Sequence, residues 1–349
     1  MRHSCSALLL SLLLMVVSGT MAGGFETEAQ KVYGAREASG RTLRIISTAD
    51  LDVFDPILVA FQAENPAIEI EYTIASTSEL MKAISVEGAP FDLAISSAMD
   101  LQTKLANDGY AQTYRSAATD GLPQWARWRN QLFAFTQEPA VLILSEKEFG
   151  DGDIPATRED LINLLRSEPD RFRGRIGTYD VRVSGFGYLM ATQDSRNTEA
   201  YWRLMEVMGR LDARLYCCSG AMIRDVANGT LALAYNVLGS YAGATPSAEG
   251  GGVKVVALRD LVNVMLRTAL IPKNAGNPED AHRLVDFLVS LSARPAIVAR
   301  SGLPPIDDSV LKANNAIRPI RFGPGLLVFL DRQKRRNFLR SWVSSLEQE

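Results

Sequence analysis

The sequence predicts an α/β protein built as two lobes with mostly parallel sheets. Strand-like and helix-like segments alternate from Arg41 onward, and a second strand and helix series starts at Val141. One run, "FDLAISS" (91–97), is almost continuously apolar, as strands covered on both faces are. With 349 residues, 47% of them apolar and 22% charged, the chain can fill two ordinary domains.

The elements follow in order. Arg2 and His3 precede an apolar stretch from Ala7 to Val17 and small residues ending at Thr20-Met21-Ala22. This is the layout of a secretory signal over 1–22, cleaved after Ala22. The stretch is short for a membrane span, and no other segment approaches such length, so the mature chain is expected to be exported and soluble, without membrane insertion; the periplasm is the compartment that the resemblance described below implies. Cys5 lies ahead of the apolar stretch, so no lipid attachment site is expected. Polar, Gly/Ala-rich residues 23–40 read as a flexible leader.

"TLRIIS" (42–47) is a strand, and Asp55-Pro56 reads as a cap and first helical residue ahead of "ILVAFQAENP". "IEIEYTIA" alternates as a strand with one buried face. Ser76 with Glu79 forms a capping box for a helix to about Val86. "VLILSEKEFG" (141–150) and "RIGTYD" (175–180) are strands of the second series. Helices are expected after Ser184 and Ser219, and "TLALAYN" (230–236) is a further strand. Gly250-Gly251-Gly252 breaks the chain before "VKVVAL" (253–258). Asn277-Pro278 caps a helix with Ala281, Leu284, Val285, Leu288 and Val289 on one face.

The formal net charge is −3, falling to −4 when Arg2 leaves with the leader, which argues against nucleic acid as partner. P-loop, HExxH, CxxC and GxSxG patterns are absent, and His282 sits early in an amphipathic helix, so neither a hydrolase triad nor a zinc site has its parts. No catalytic residue, metal or cofactor is assigned, and the protein is read as a binder. Cys217 and Cys218 are adjacent and could close only a tight ring, so two buried small residues are favoured over a redox pair.

Open α/β sheets hold ligands at the carboxyl ends of their strands. Those ends carry Thr48, Ser96, Ser97, Thr178, Tyr179, Tyr235 and Asn236, joined by Arg182 and by the helix starts at Ser184 and Ser219. All ten are candidate ligand-binding residues. Hydroxyl, amide and helix N-terminal N–H donors in one cleft point to a small anionic solute, phosphorylated or carboxylated. Serine and threonine at such places also cap helices, and Arg182 reads equally as a solvated loop residue. "WARWRN" (125–130) reads as a loop packing one tryptophan, with a sugar platform as the other reading. "RQKRR" (332–336) reads as a solvated helix face or as a patch that docks a membrane partner.

Four stretches together resemble the bacterial periplasmic solute-binding proteins of ABC transporters, in the group of ferric-iron, phosphonate and sugar-phosphate binders. They are "LRIISTADLDVFDPILVAFQAENPAIEIEY", "QLFAFTQEPAVLILSEKEF", "DVANGTLALAYNVLGSYA" and "LRTALIPKNAGNPEDAHRLVDFLVS". The resemblance implies a two-lobed type II fold with a hinge cleft that closes over one solute, in a monomer. It sets lobe 1 at 41–136 and 250–300, lobe 2 at 137–249 and a helical tail at 301–349, with crossings near 137–141 and 243–253.

Ferric members carry adjacent tyrosines where this chain has Val237, Leu238 and Gly239, so iron binding is disfavoured but kept as an alternative. An ABC permease is the expected partner. Similarity to regulatory binding proteins of phosphoglycerate uptake keeps the sensor domain of a histidine kinase as a second partner. An exported enzyme using a carboxylate pair is the alternative of another class.

Overall fold

The computed structural model describes residues 24–37, 40–150, 152, 154–242 and 252–348. The expected signal at 1–22 and the glycines at 250 and 251 lie outside them. In the first lobe, β1 (Ala29–Tyr33), β2 (Arg41–Ser47), α1 (Leu51–Glu64), β3 (Ile68–Ile74), α2 (Thr77–Ser85), β4 (Leu93–Ser96) and α3 (Met99–Asn107) follow in order. α4 (Ala117–Asp120) and the short β5 (Arg127–Trp128) lead into the long β6 (Leu132–Ser145). The second lobe holds α5 (Glu146–Phe149), α6 (Arg158–Ser167), α7 (Pro169–Phe172), β7 (Ile176–Tyr179), α8 (Gly185–Asn197) and α9 (Ala200–Arg210). It continues with β8 (Arg214–Tyr216), α10 (Ser219–Ala227), β9 (Leu233–Leu238) and β10 (Val253–Val256). The chain then returns through β11 (Val262–Leu270) to α11 (Pro278–Val289), α12 (Pro295–Ser301), α13 (Asp308–Ala313), β12 (Ile317–Pro319) and α14 (Arg332–Leu346).

Local signals account for many boundaries. Ser76 accepts from Glu79 N at 3.2 Å, Ser184 from Gly187 N at 3.1 Å, and Asn277 from Asp280 N at 3.4 Å, each satisfying an N–H that a helix start leaves unpaired. α1 begins at Leu51 with Asp50 as its cap, ahead of the Asp55-Pro56 start the sequence suggested. Pro56 sits inside the helix, near its start, where only one turn precedes it.

The strand order is β1-β3-β2-β4-β11-β6-β9-β7-β8, with β10 and β5 beside β6 and β12 beside β11. β2 runs parallel to β3 and β4, and β7 parallel to β8 and β9. The β4–β11, β6–β11, β6–β9 and β6–β10 pairs are antiparallel. The sheets are therefore mixed rather than mostly parallel, because the strands that pass between lobes enter each sheet against its direction. β6 pairs with β11 from Phe133 to Pro139 and with β9 from Ala140 to Leu144, so one strand serves both lobes. Pro139, which has no N–H to give to a ladder, stands where it changes partner.

Two boundaries differ from expectation. β1 lies in the stretch read as a flexible leader and pairs antiparallel with β3, Val32 opposite Glu71. β10 still pairs with β6 in the second lobe, Val253 opposite Ser145, so the return to lobe 1 falls between Val256 and Val262 rather than within 243–253. The tail also joins both lobes: β12 pairs with β11, while Phe338, Trp342 and Leu346 of α14 enter the core of lobe 2 beside Tyr201 and Met205. Among the described residues no helix is long and apolar enough to cross a membrane.

Candidate functional site

A cleft runs between the lobes and is lined from both. Lobe 1 contributes Glu28, Thr48, Asp50, Ala75, Ser76, Thr77 and Ser97; lobe 2 contributes Tyr179, Val183, Ser184, Phe186, Cys217, Cys218, Ser219, Leu238 and Tyr241. Helix starts reach it from each side: Asp50 holds the cap position of α1 without a side-chain capping bond, Ser76 and Thr77 open α2, Ser184 caps α8, and Cys218 and Ser219 open α10. Unpaired N–H groups at such starts carry partial positive charge.

At one end of the cleft the lobes touch. Gly185 N donates to Thr77 Oγ1 at 2.8 Å, and Ser78 Oγ donates to Val183 O at 3.2 Å. A Cβ on Gly185 would lie 2.5 Å from Thr77 Oγ1, so only glycine lets α8 approach α2 this closely.

Of the ten candidate residues, the cleft gathers Thr48, Ser97, Tyr179, Ser184 and Ser219. Thr48 Oγ1 accepts from Ser97 N at 3.1 Å, and the hydroxyls of Tyr179 and Ser219 lie 2.5 Å apart. Ser219 is the first residue of α10, not its cap; Cys218 holds the cap position and its side chain makes no capping bond.

The other five lie elsewhere. Ser96 is buried and turns its hydroxyl onto Ala98 N at 3.1 Å. Thr178, Tyr235 and Asn236 border a small internal space of lobe 2 together with Tyr201 and Trp342. There Tyr235 donates to Asp194 at 2.6 Å and accepts from Arg158 Nε at 2.8 Å, and Asn236 donates to Asp194 at 2.7 Å. Arg158 and Asn263 complete the set around the fully buried Asp194, with Arg158 Nη2 at 3.1 Å and Asn263 Nδ2 at 2.7 Å. The reason for the misplacement is strand length: β9 runs on to Leu238, so the polar pair lies inside the strand and Leu238 and Tyr241 reach the cleft instead. Arg182 is exposed and is held by Asp180 and by Glu347 of the tail, both at 2.7 Å. It borders a neighbouring hollow with Asp100, Tyr188 and Arg335.

Among the described residues no lysine or arginine lines the cleft itself, which holds two carboxylates. Glu28 stands at the exposed rim, its pKa raised by loss of water on its inner side and by Asp50. Burial also raises Asp50, against the pull of Arg267 and Arg224. Arg267 lies behind Tyr241, 5.8 Å from the ring centroid, fully buried and paired with Glu138, and among the described residues its Nη1 has no hydrogen-bond partner. Its charge and the opposite charge of Glu138 act against each other on Tyr241. Burial is the first cause raising the pKa of Tyr179, and it pushes Tyr241 up to about 12, so both phenols are neutral at ordinary pH.

Among the cleft residues that sequence reasoning missed are Glu28, Asp50, Thr77, Phe186 and Leu238. A helix start read as a wall of the site would have found Asp50 and Thr77; nothing local marks Glu28. The cysteines also differ from expectation: Cys217 and Cys218 form a disulfide, and neither is buried. In "WARWRN", Trp125 packs on the lobe 1 core and Arg129 lies 4.2 Å over the Trp128 ring, away from the cleft. Among the described residues no group of three or more His, Cys, Asp or Glu could hold a metal ion.

Known structures share this architecture. A substrate-binding protein of an ABC transporter from Agrobacterium tumefaciens is 33% identical, with 91% of this chain and 98% of that one covered and a TM-score of 0.85. The periplasmic binding protein AfuA from Actinobacillus pleuropneumoniae, with fructose-6-phosphate bound, is 16% identical over 89% of this chain and all of its own, with a TM-score of 0.70. Iron-bound HitA from Pseudomonas aeruginosa is 18% identical over 87% and 99% of the chains, with a TM-score of 0.67. No curated protein matches the sequence significantly. Residues 43–303 match the family described as bacterial extracellular solute-binding protein, and with two lobes around a lined cleft the chain belongs to that family.

Proposed function

We propose that this protein is a periplasmic solute receptor of an ABC transporter whose cleft takes a small anionic solute, phosphorylated or carboxylated, and presents it to a permease. One observation carries the anion: the starts of α2, α8 and α10, from both lobes, border the same cleft with their serine and threonine hydroxyls. Glu28 and Asp50 suit the hydroxyl or amino groups of the same solute, which favours a sugar phosphate or an amino-bearing acid over a bare anion. The fructose-6-phosphate held by AfuA supports this class. Contacts from both lobes are what makes a solute favour the closed arrangement, because only interactions gained on closure shift that equilibrium. The leader at 1–22 accounts for export.

Ferric iron is the second reading, favoured by the iron in HitA and by Tyr179 and Tyr241, which face one cleft. Against it stand the raised pKa values of both phenols and the bond from Tyr179 to Ser219. A thermal-shift screen against phosphorylated metabolites, carboxylates, phosphonates and ferric iron separates them, since a ligand held only by the folded form raises the melting temperature. A shift with ferric iron alone rejects the anion. Turnover of a bound metabolite would assign Glu28 and Asp50 to an exported enzyme, and binding to a histidine kinase sensor domain rather than to a permease would make the receptor a signalling subunit.

A further inference from the structure

The bonded pair Cys217–Cys218 lies in the loop between β8 and α10, on the wall of the cleft. It touches the site in two ways. Cys218 occupies the cap position of α10 without capping it, so the helix start beside the cleft is left open to a solute. The next residue, Ser219, bonds Tyr179 across the cleft floor, so the position of that hydroxyl pair depends on the conformation of the two cysteines. Bonding neighbouring side chains removes their independent rotation and holds the intervening peptide in one shape. Cys217 is an exposed residue, on the solvent side of the pair.

We propose that the Cys217–Cys218 bond is a redox-sensitive wall of the solute cleft: the bonded pair is the high-affinity form, and reduction to two thiols weakens solute binding. The step is thiol–disulfide exchange with a dithiol. One thiolate of the dithiol attacks Cys217 Sγ and the bond to Cys218 Sγ breaks; the second thiolate then displaces Cys217 from the mixed disulfide. Two electrons and two protons pass to the cysteines, and the dithiol leaves as its own disulfide. The freed side chains must then be ordered each time solute binds, and ordering two side chains corresponds to a loss of roughly fivefold to 150-fold in affinity. The inference deepens the anion reading and rests on it.

The test uses the purified protein before and after dithiothreitol, with peptide mass mapping of residues 217–218 to establish the redox state. Calorimetry with inorganic phosphate, fructose 6-phosphate and 3-phosphoglycerate reads affinity, and re-oxidation tests reversal. The double variant C217S/C218S, checked by its melting temperature without solute, stands for the opened pair and should ignore dithiothreitol. Weaker binding in the reduced protein and in the variant, restored by re-oxidation of the former, supports the inference. Equal affinity in both redox states overturns it and leaves the anion reading standing. Two free thiols in the protein as purified also overturn it. No binding of any of the three probes by the oxidised protein overturns the anion reading, and the inference with it.

Discussion

Replacing Arg267 with methionine should cost the protein about 3–5 kcal/mol of folding stability. Arg267 and Glu138 have no exposed surface. Arg267 Nε and Nη2 donate to the two carboxylate oxygens at 2.8 and 2.9 Å, and Thr136 and Ser240 donate to the same oxygens at 2.7 and 2.5 Å. Methionine fills much of the space but leaves an ionised carboxylate dry, with only two hydroxyls, each worth about 1–3 kcal/mol to a charged group. The pH dependence gives a sharper test than the size. In the native protein burial alone would raise Glu138, but Arg267 and the hydroxyl donors hold its pKa below the ordinary value. Its contribution is therefore complete above the unfolded-state value near about 4.3 and is lost as pH falls through the lower folded value. Without Arg267 burial dominates, the folded pKa rises, and the variant loses stability as pH climbs from roughly 5 to 8. Urea unfolding followed by tryptophan fluorescence at several pH values should show the variant weakening with pH relative to the parent. A loss under about 1 kcal/mol at pH 8, or parallel pH profiles, refutes the reasoning. R267M/E138L should recover most of the loss, since an apolar pair replaces both charges.

Tyr235→Phe should lower stability by about 1–3 kcal/mol, because it leaves Arg158 Nε and one Asp194 bond unsatisfied, while calorimetry finds solute affinity unchanged. Arg182→Ala should also leave affinity unchanged; a marked loss would return Arg182 to the site. Burial raises Asp100 to about 7, with Arg335 opposing, so the protein should lose stability as pH rises from the unfolded value toward 7. Asp100→Asn should therefore be more stable than the parent at pH 8 by about 1 kcal/mol or more and gain nothing at pH 4, as read by melting temperature. Trp342→Ala, which empties the contact of the tail helix with lobe 2, should cost about 3–5 kcal/mol in denaturant unfolding; a cost below about 1 kcal/mol would mean that α14 adds little to that lobe.

What the sequence determined by itself is local. Alternation in "IEIEYTIA", Ser76 before α2, the serine before α8 and Asn277-Pro278 before α11 each lie within one or two turns of chain, and each marks an element that forms; the box expected of Ser76 and Glu79 is only half made, because the Glu79 carboxylate accepts from Glu26 N instead. Strand ends brought Thr48, Ser97 and Tyr179, and helix starts Ser184 and Ser219, into the set of candidates that the cleft gathers. Tertiary structure decided which way each strand-end side chain faces. Tyr179 borders both the cleft and the space of lobe 2 that Thr178 lines, and β9 running on to Leu238 keeps Tyr235 and Asn236 within lobe 2. It also decided long-range partners: Arg267 meets Glu138 across 129 positions of sequence, and β1 finds β3 only because that edge of the sheet is open to it. Periodicity carries the identity of an element, whereas facing and pairing depend on where the neighbouring strands begin and end, which no single stretch of sequence contains.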